Sequence, residues 1–210
     1  MPASDLEQLR YPVGRLPRHP APVDAKELAE HLAIIEALPA RLRSLVSGLN
    51  DAQLDTPYRP GGWTIRQVVH HIADSHINAY LRMKLAATED RPAVKTYEEQ
   101  VWAELPEAKS APVDVSLALI DALHRRMLAF LRALPAGTLR RAFQHPEWGS
   151  VTIEESVTMY SWHCRHHSAH IEGALANSRS RGLPFITCDR RSTASDCSLD
   201  RLEGTSRTNR

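Results

Sequence analysis

The chain has 210 residues, 42% of them hydrophobic, enough for one substantial core and short for two independent catalytic domains. Its 26 basic and 25 acidic residues are interspersed and leave a formal net charge of +1, which excludes the basic footprint of nucleic-acid-binding or membrane-surface proteins. The three cysteines, Cys164, Cys188 and Cys197, are odd in number and form no close pair, so neither a disulfide framework nor a thiolate zinc knuckle is expected.

The N-terminus lacks a basic n-region and an apolar h-region, and nowhere do about eighteen apolar residues run together, so a soluble, cytoplasmic protein with no membrane partner is expected. Residues 1–22 carry five prolines and little periodicity and read as an extended N-terminal arm. Apolar residues then recur at helical spacing over 24–49, 64–88, 114–134 and 152–177, while no stretch of that length alternates as a sheet would. Three starts carry a capping box, Asp24-x-x-Glu27, Thr64-x-x-Gln67 and Thr152-x-x-Glu155, in which side chains satisfy the first unpaired N–H groups. Pro39 should kink or divide the first helix. Breaker-rich connectors precede the other three, at 57–62, 92–112 and 135–149. The pattern predicts an all-α protein, a four-helix bundle over residues 23–177 with its sites between facing helices. The long 92–112 connector argues against a simple up-down-up-down path. Residues 178–210 are polar and turn-rich, without a periodic apolar face, and read as a disordered tail.

Histidine placement carries the chemistry. His163, His166, His167 and His170 stand at i, i+3, i+4 and i+7 on one side of the last helix, and imidazole is a common ligand for divalent transition metals. At 100° per residue, His163 and His167 fall inside the apolar arc built by Ile153, Val157, Tyr160, Ile171 and Ala174. His170 falls near its edge and His166 about 60° from His163, beyond it, where both are expected to be solvated or to orient ligands by hydrogen bonds. The i, i+4 pair has the geometry by which H-E-x-x-H helices hold one ion, without that motif's general-base Glu. Two ligands do not close a site. In the second helix His76 lies within the apolar stripe, His71 off one edge and His70 on the opposite flank, and spacing alone leaves His71 and His76 as alternatives for the third. Cys164 sits about 100° from His163, which disfavours a nucleophilic cysteine.

The run from Tyr58 through Gly61-Gly62-Trp63-Thr64 to His70-His71-Ile72-Ala73-Asp74-Ser75-His76 resembles the YfiT-like branch of the DinB-like superfamily, a group of metal-dependent hydrolases that includes bacillithiol transferases. Leu54 to Pro57, Lys84 to Asp90, Trp102 to Leu105 and Tyr160-x-Trp162-His163-x-x-His166-His167-x-x-His170-Ile171 are similar in order and spacing, so the resemblance covers about residues 11–177. It implies a four-helix bundle, a homodimer, and one divalent ion per subunit, Zn2+ ahead of Ni2+, held by His71, His163 and His167. The helical arc points to His163 and His167 independently; His71 over His76 rests on the resemblance alone.

Three neutral imidazoles leave an ion its full charge and an open position, suited to activating a bound water or thiol. The expected protein is therefore a metal-dependent hydrolase-type enzyme acting on a small molecule. Its first alternative is a thiol S-transferase of the bacillithiol transferase type, using a low-molecular-weight thiol as co-substrate. The alternative of another class is a non-catalytic metal-binding or stress-response module, motivated by the lack of an evident general acid or base. Asp74, Glu155 and Tyr160 are nearby candidates for supporting roles, each more commonly a surface or packing residue. Trp63, Trp102 and Trp162 could line a pocket, although tryptophan in a bundle is usually core.

Overall fold

The structure, a computed structural model, describes residues 3–16 and 23–180. Four long helices form the bundle: α2 (Ala25–Val46), α4 (Ile65–Thr88), α7 (Val113–Ala133) and α8 (Ile153–Ser180). Shorter helices are α1 (Ala3–Arg10), α3 (Asp51–Leu54), α5 (Glu99–Ala103) and α6 (Pro106–Ser110), and a 3-10 turn covers Ala136–Arg140. Strands β1 (Ala142–His145) and β2 (Gly149–Thr152) pair as an antiparallel hairpin that leads directly into α8. Each long helix packs chiefly on two others, α2 on α7 and α8, and α4 on the same two. Consecutive helices α2 and α4, and again α7 and α8, therefore stand on diagonals, so the path is not a simple up-and-down one.

Local chemistry explains the starts. All three expected capping boxes form: Asp24 with Glu27, Thr64 with Gln67, and Thr152 with Glu155. A fourth, Asn50 with Gln53, opens the four-residue α3, too short to show an apolar period. Side chains such as Ile35, Leu42, Ile72, Met83, Ile120, Met127, Ile153 and Ile171 are fully buried between the helices. Each stabilises the bundle by about 1.5–3 kcal/mol relative to exposure. The start of α4 is also fixed from outside the core: the buried Arg66 guanidinium donates to Asp55, Asp51 and the Ala111 carbonyl.

Three expectations are refined. Pro39 lies inside one continuous α2 and does not divide it. Its missing N–H frees the Ile35 carbonyl four residues earlier, and that oxygen accepts instead from His124 Nδ1 at 2.7 Å. The arm expected as extended contains the helix α1 over residues 3–10, which has no internal proline; Pro2 and Pro12 flank it, and Asp5 and Arg10 suit its dipole. The last helix continues to Ser180, three residues past the expected boundary, and the rest of the expected tail lies outside the described residues. Among the described residues, no helix is long and apolar enough to cross a membrane.

Candidate metal centre

Capping fixes the register that delivers the histidines. With Thr64 closing the N-terminus of α4, His71 falls in its second turn and faces α8; with Thr152 closing α8, His163 and His167 come one turn apart on the facing side. One nitrogen from each of His71, His163 and His167 lies within 4.8 Å of the others, and His71 Nε2 stands 3.2 Å from His163 Nε2. Nitrogens on a tetrahedral zinc with bonds near 2.0–2.1 Å would be separated by roughly 3.3 Å. The donor set fits a divalent ion.

Burial sets the charge state. It pushes His71 down to about 4, with the neighbouring His170 adding to the shift. His163 and His167 are driven well below the usual imidazole range, first by burial and then by repulsion from the surrounding rings. All three are neutral at pH 7, the state in which a ring nitrogen offers a lone pair. Cys164 is buried in the core and its thiol is pushed up by burial, so it stays protonated at neutral pH.

The centre opens on a cavity of about 810 Å³. Trp63 leans over His71 with ring centroids 4.6 Å apart and lines the cavity, one of the two roles open to it from sequence. The cavity is also lined by Arg82, Glu99, His145 and Glu147, which the sequence did not single out. Burial raises the Glu99 carboxyl above its usual range, partly offset by Arg82. Glu99 lies in the 92–112 connector, where no helical period marks it. That connector is brought to the site by pairing with the hairpin, Val94 N–H donating to the Gln144 carbonyl at 3.0 Å and Gln144 N–H to Pro92 at 2.9 Å.

The other candidates have other duties. Glu155 caps α8, accepting from Thr152 N–H at 2.7 Å. Tyr160 donates to the Ser75 carbonyl at 3.0 Å while lining the cavity. Asp74 is half-buried, its carboxyl raised by desolvation and by Glu107, and it is not among the cavity-lining residues. His70 turns toward α6 and α7, donating through Nε2 to the Ala111 carbonyl at 3.2 Å and accepting from Ser116 at 2.7 Å. Trp102 is 39% exposed and packs on Tyr97, away from the core role usual for a bundle tryptophan. His76 is fully buried and meets His163 on the far side of its ring, Nε2 to Nδ1 at 3.1 Å.

His166 and His170 are buried, not solvated, because the N-terminal segment covers their face of α8. Tyr11 lies against His166, Trp162 Nε1–H donates to the Gly14 carbonyl at 3.2 Å, and His170 Nε2 meets the Arg10 carbonyl at 3.2 Å. Together with His167 these two form a second, overlapping group whose nitrogens also lie within 4.8 Å of one another.

Fold and site together define a four-helix bundle with a cluster of neutral histidines able to hold a metal between two of its helices. Residues 34–171 match the model of the DinB superfamily, and the chain belongs to that family. It is 46% identical over 166 residues, 79% of this chain and 95% of the relative, to a protein of Bacillus cereus named "putative metal-dependent hydrolase", and equally to one so named from Bacillus mycoides. The solved structure of YfiT from Bacillus subtilis, described as "a probable metal-dependent hydrolase with an unusual four-helix bundle topology", is 42% identical with a TM-score of 0.78, over 84% of this chain and 99% of that one. A mycothiol-dependent maleylpyruvate isomerase shares the fold at 18% identity and a TM-score of 0.56, over 69% of this chain and 60% of that one.

Proposed function

We propose that the protein is a metal-dependent hydrolase-type enzyme in which His71, His163 and His167 hold one divalent ion, zinc in preference to nickel. The observation that carries this reading is the convergence of three neutral imidazoles, His71 and His167 buried and His163 half-buried, at the wall of an 810 Å³ cavity. The names of the curated relatives support it. Bound there, such an ion would acidify a coordinated water or thiol and polarise a substrate oxygen. The chain's own residues bind and orient the substrate: Trp63 lines the cavity beside His71, and Arg82 and Glu99, also in its lining, present a cation and a carboxyl of raised proton affinity.

Transfer of a small thiol to an electrophile is the second reading. The one cysteine among the described residues, Cys164, is buried and protonated, so a thiol nucleophile would have to enter as a low-molecular-weight co-substrate, for which the cavity has room. A cytoplasmic homodimer remains part of the proposal.

Metal analysis of the purified protein and of His71→Ala, His163→Ala and His167→Ala tests the centre: each variant is expected to lose most of its metal, and full occupancy in all three would sink the assignment. Turnover of an electrophilic model substrate with added thiols, run beside ester hydrolysis, separates the two reactions. Metal-dependent ester cleavage supports the hydrolase and thiol-dependent conjugation the transferase. Inactivity in both assays with metal bound would point to a binding module.

A further inference from the structure

A line of hydrogen bonds runs from the middle of α2 to His163. It begins at the Ile35 carbonyl, which has no helical N–H partner because residue 39 is proline. His124 Nδ1 lies 2.7 Å from that oxygen, and a carbonyl only accepts, so Nδ1 carries the proton. A neutral imidazole has one donor and one acceptor, which makes His124 Nε2 the acceptor. His76 Nδ1, 2.8 Å away, must therefore donate to it. His76 Nε2 is then an acceptor in turn, and His163 Nδ1 donates to it at 3.1 Å. The polarity of the first bond is passed through three rings. At its end His163 Nε2 is left as a lone pair, facing His71 Nε2 at 3.2 Å.

A shorter line ends at His167. Arg10 closes α1, so its carbonyl is one of the unpaired oxygens of that helix end. It accepts from His170 Nε2–H at 3.2 Å, which makes His170 Nδ1 an acceptor for His167 Nδ1–H at 3.4 Å. His167 Nε2 is then the free lone pair.

We propose that His124, His76 and His170 are positioning residues that fix the tautomers of His163 and His167, so that both present Nε2 to the metal position before any metal arrives. Each line starts at a backbone carbonyl that cannot reverse its role. Metal-binding histidines commonly donate their second nitrogen to a carboxylate, carbonyl or water. Here the next group is another imidazole, and the carbonyl acts at a distance. This inference rests on the proposed metal centre, but its first test needs no metal and so fails or succeeds separately.

Full-length, metal-free protein labelled with 15N in histidine is examined at neutral pH by two-bond proton–nitrogen spectra, assigned with single-histidine variants. The expected pattern is a proton on Nδ1 of His124, His76, His163 and His167 and on Nε2 of His170. A proton on Nε2 of His163 overturns the proposal even if the His124 variants do not fold. His76 and His124 meet edge to edge and nearly coplanar, with ring centroids 4.8 Å apart, and His124→Phe keeps an aromatic ring at that position while both nitrogens are lost. His76 and His163 should then shift toward the Nε2–H form. Zinc affinity, read by competition with a chelator, should fall by about 10- to 100-fold. His124→Gln, which returns an acceptor beside His76 Nδ1, should recover most of it. Wild-type affinity with an unchanged His163 spectrum in His124→Phe, or a Gln variant as weak as the Phe one, overturns the relay.

Discussion

The histidine centre is supported from two sides that differ in kind. Beneath His163 lies a floor of packed core: His76 and His124 are almost wholly buried between α2, α4 and α7, and their bonds span 2.7–3.1 Å. Above His167 lies a roof made by the N-terminal segment, whose residues are mostly exposed and whose bonds to His170 and Trp162 are 3.2 Å long. Both sides use the same device, a helix carbonyl without a helical partner. The floor has the whole bundle holding its partners in place, whereas the roof depends on a short segment of low contact density, the kind that opens locally at small cost. Ligand orientation should therefore be robust on one side and adjustable on the other.

The largest effect expected concerns both sides together. Burial lowers the affinity for protons of His71, His76, His124, His166 and His170, among others. A folded value below the unfolded 6.5 means that the unfolded chain takes up protons first. Stability is then complete above pH 6.5 and is lost as the pH falls toward the folded values, about 4 for His71 and His170 and about 3 for His166. Each ring contributes up to about 1.4 kcal/mol per pH unit within its window. Urea unfolding of the metal-free protein should lose several kcal/mol between pH 7 and pH 5. A midpoint that does not move across that range would mean that the buried rings are already solvated.

Single substitutions should separate floor from roof. His76→Phe removes the acceptor for His163 within the rigid core and is expected to weaken zinc binding by about 100-fold, the upper end for a residue that orients a ligand. His170→Phe acts through a longer bond to an exposed segment and should cost about 10-fold. Chelator competition measures both. Equal losses would show that the roof is as rigid as the floor; a larger loss at His170 would reverse the comparison and favour the overlapping group of His166, His167 and His170 as the metal site.

The same division governs what the sequence reveals. The floor is written in helical periodicity: the apolar arcs place His76, His163 and His167 inward, and capping boxes at Thr64 and Thr152 set their registers, so these positions follow from spacing. His71 lies off the stripe because it faces a cavity and not the core, which is why periodicity leaves it level with His76 and only family resemblance selects it. The roof and the loop-borne part of the cavity lining have no period to read. Five prolines hide an eight-residue helix between Pro2 and Pro12, and Glu99 joins the cavity lining through a loop that pairs with a hairpin. His166 is a related case. Helical angle places it outside the core arc, and a segment more than 150 residues earlier in the chain buries it.

The smallest effect expected tests where the floor begins. Pro39→Ala supplies an N–H that can reach the Ile35 carbonyl along the helix, in competition with His124 Nδ1–H. Because a carbonyl has two lone pairs, both donors can be accommodated, and the anchor is weakened without being lost. Removing proline from a helix interior favours the folded state by up to about 3 kcal/mol. The variant should therefore unfold at higher urea while binding zinc about two- to threefold less tightly, on the order of 0.5 kcal/mol by the usual conversion. Those opposite signs distinguish an effect on the relay from a general loosening, which would lower both. Higher stability with unchanged affinity would show that His124 keeps its proton orientation without the vacancy that Pro39 creates, and would move the origin of the floor's polarity from the proline to the packing of His124 itself.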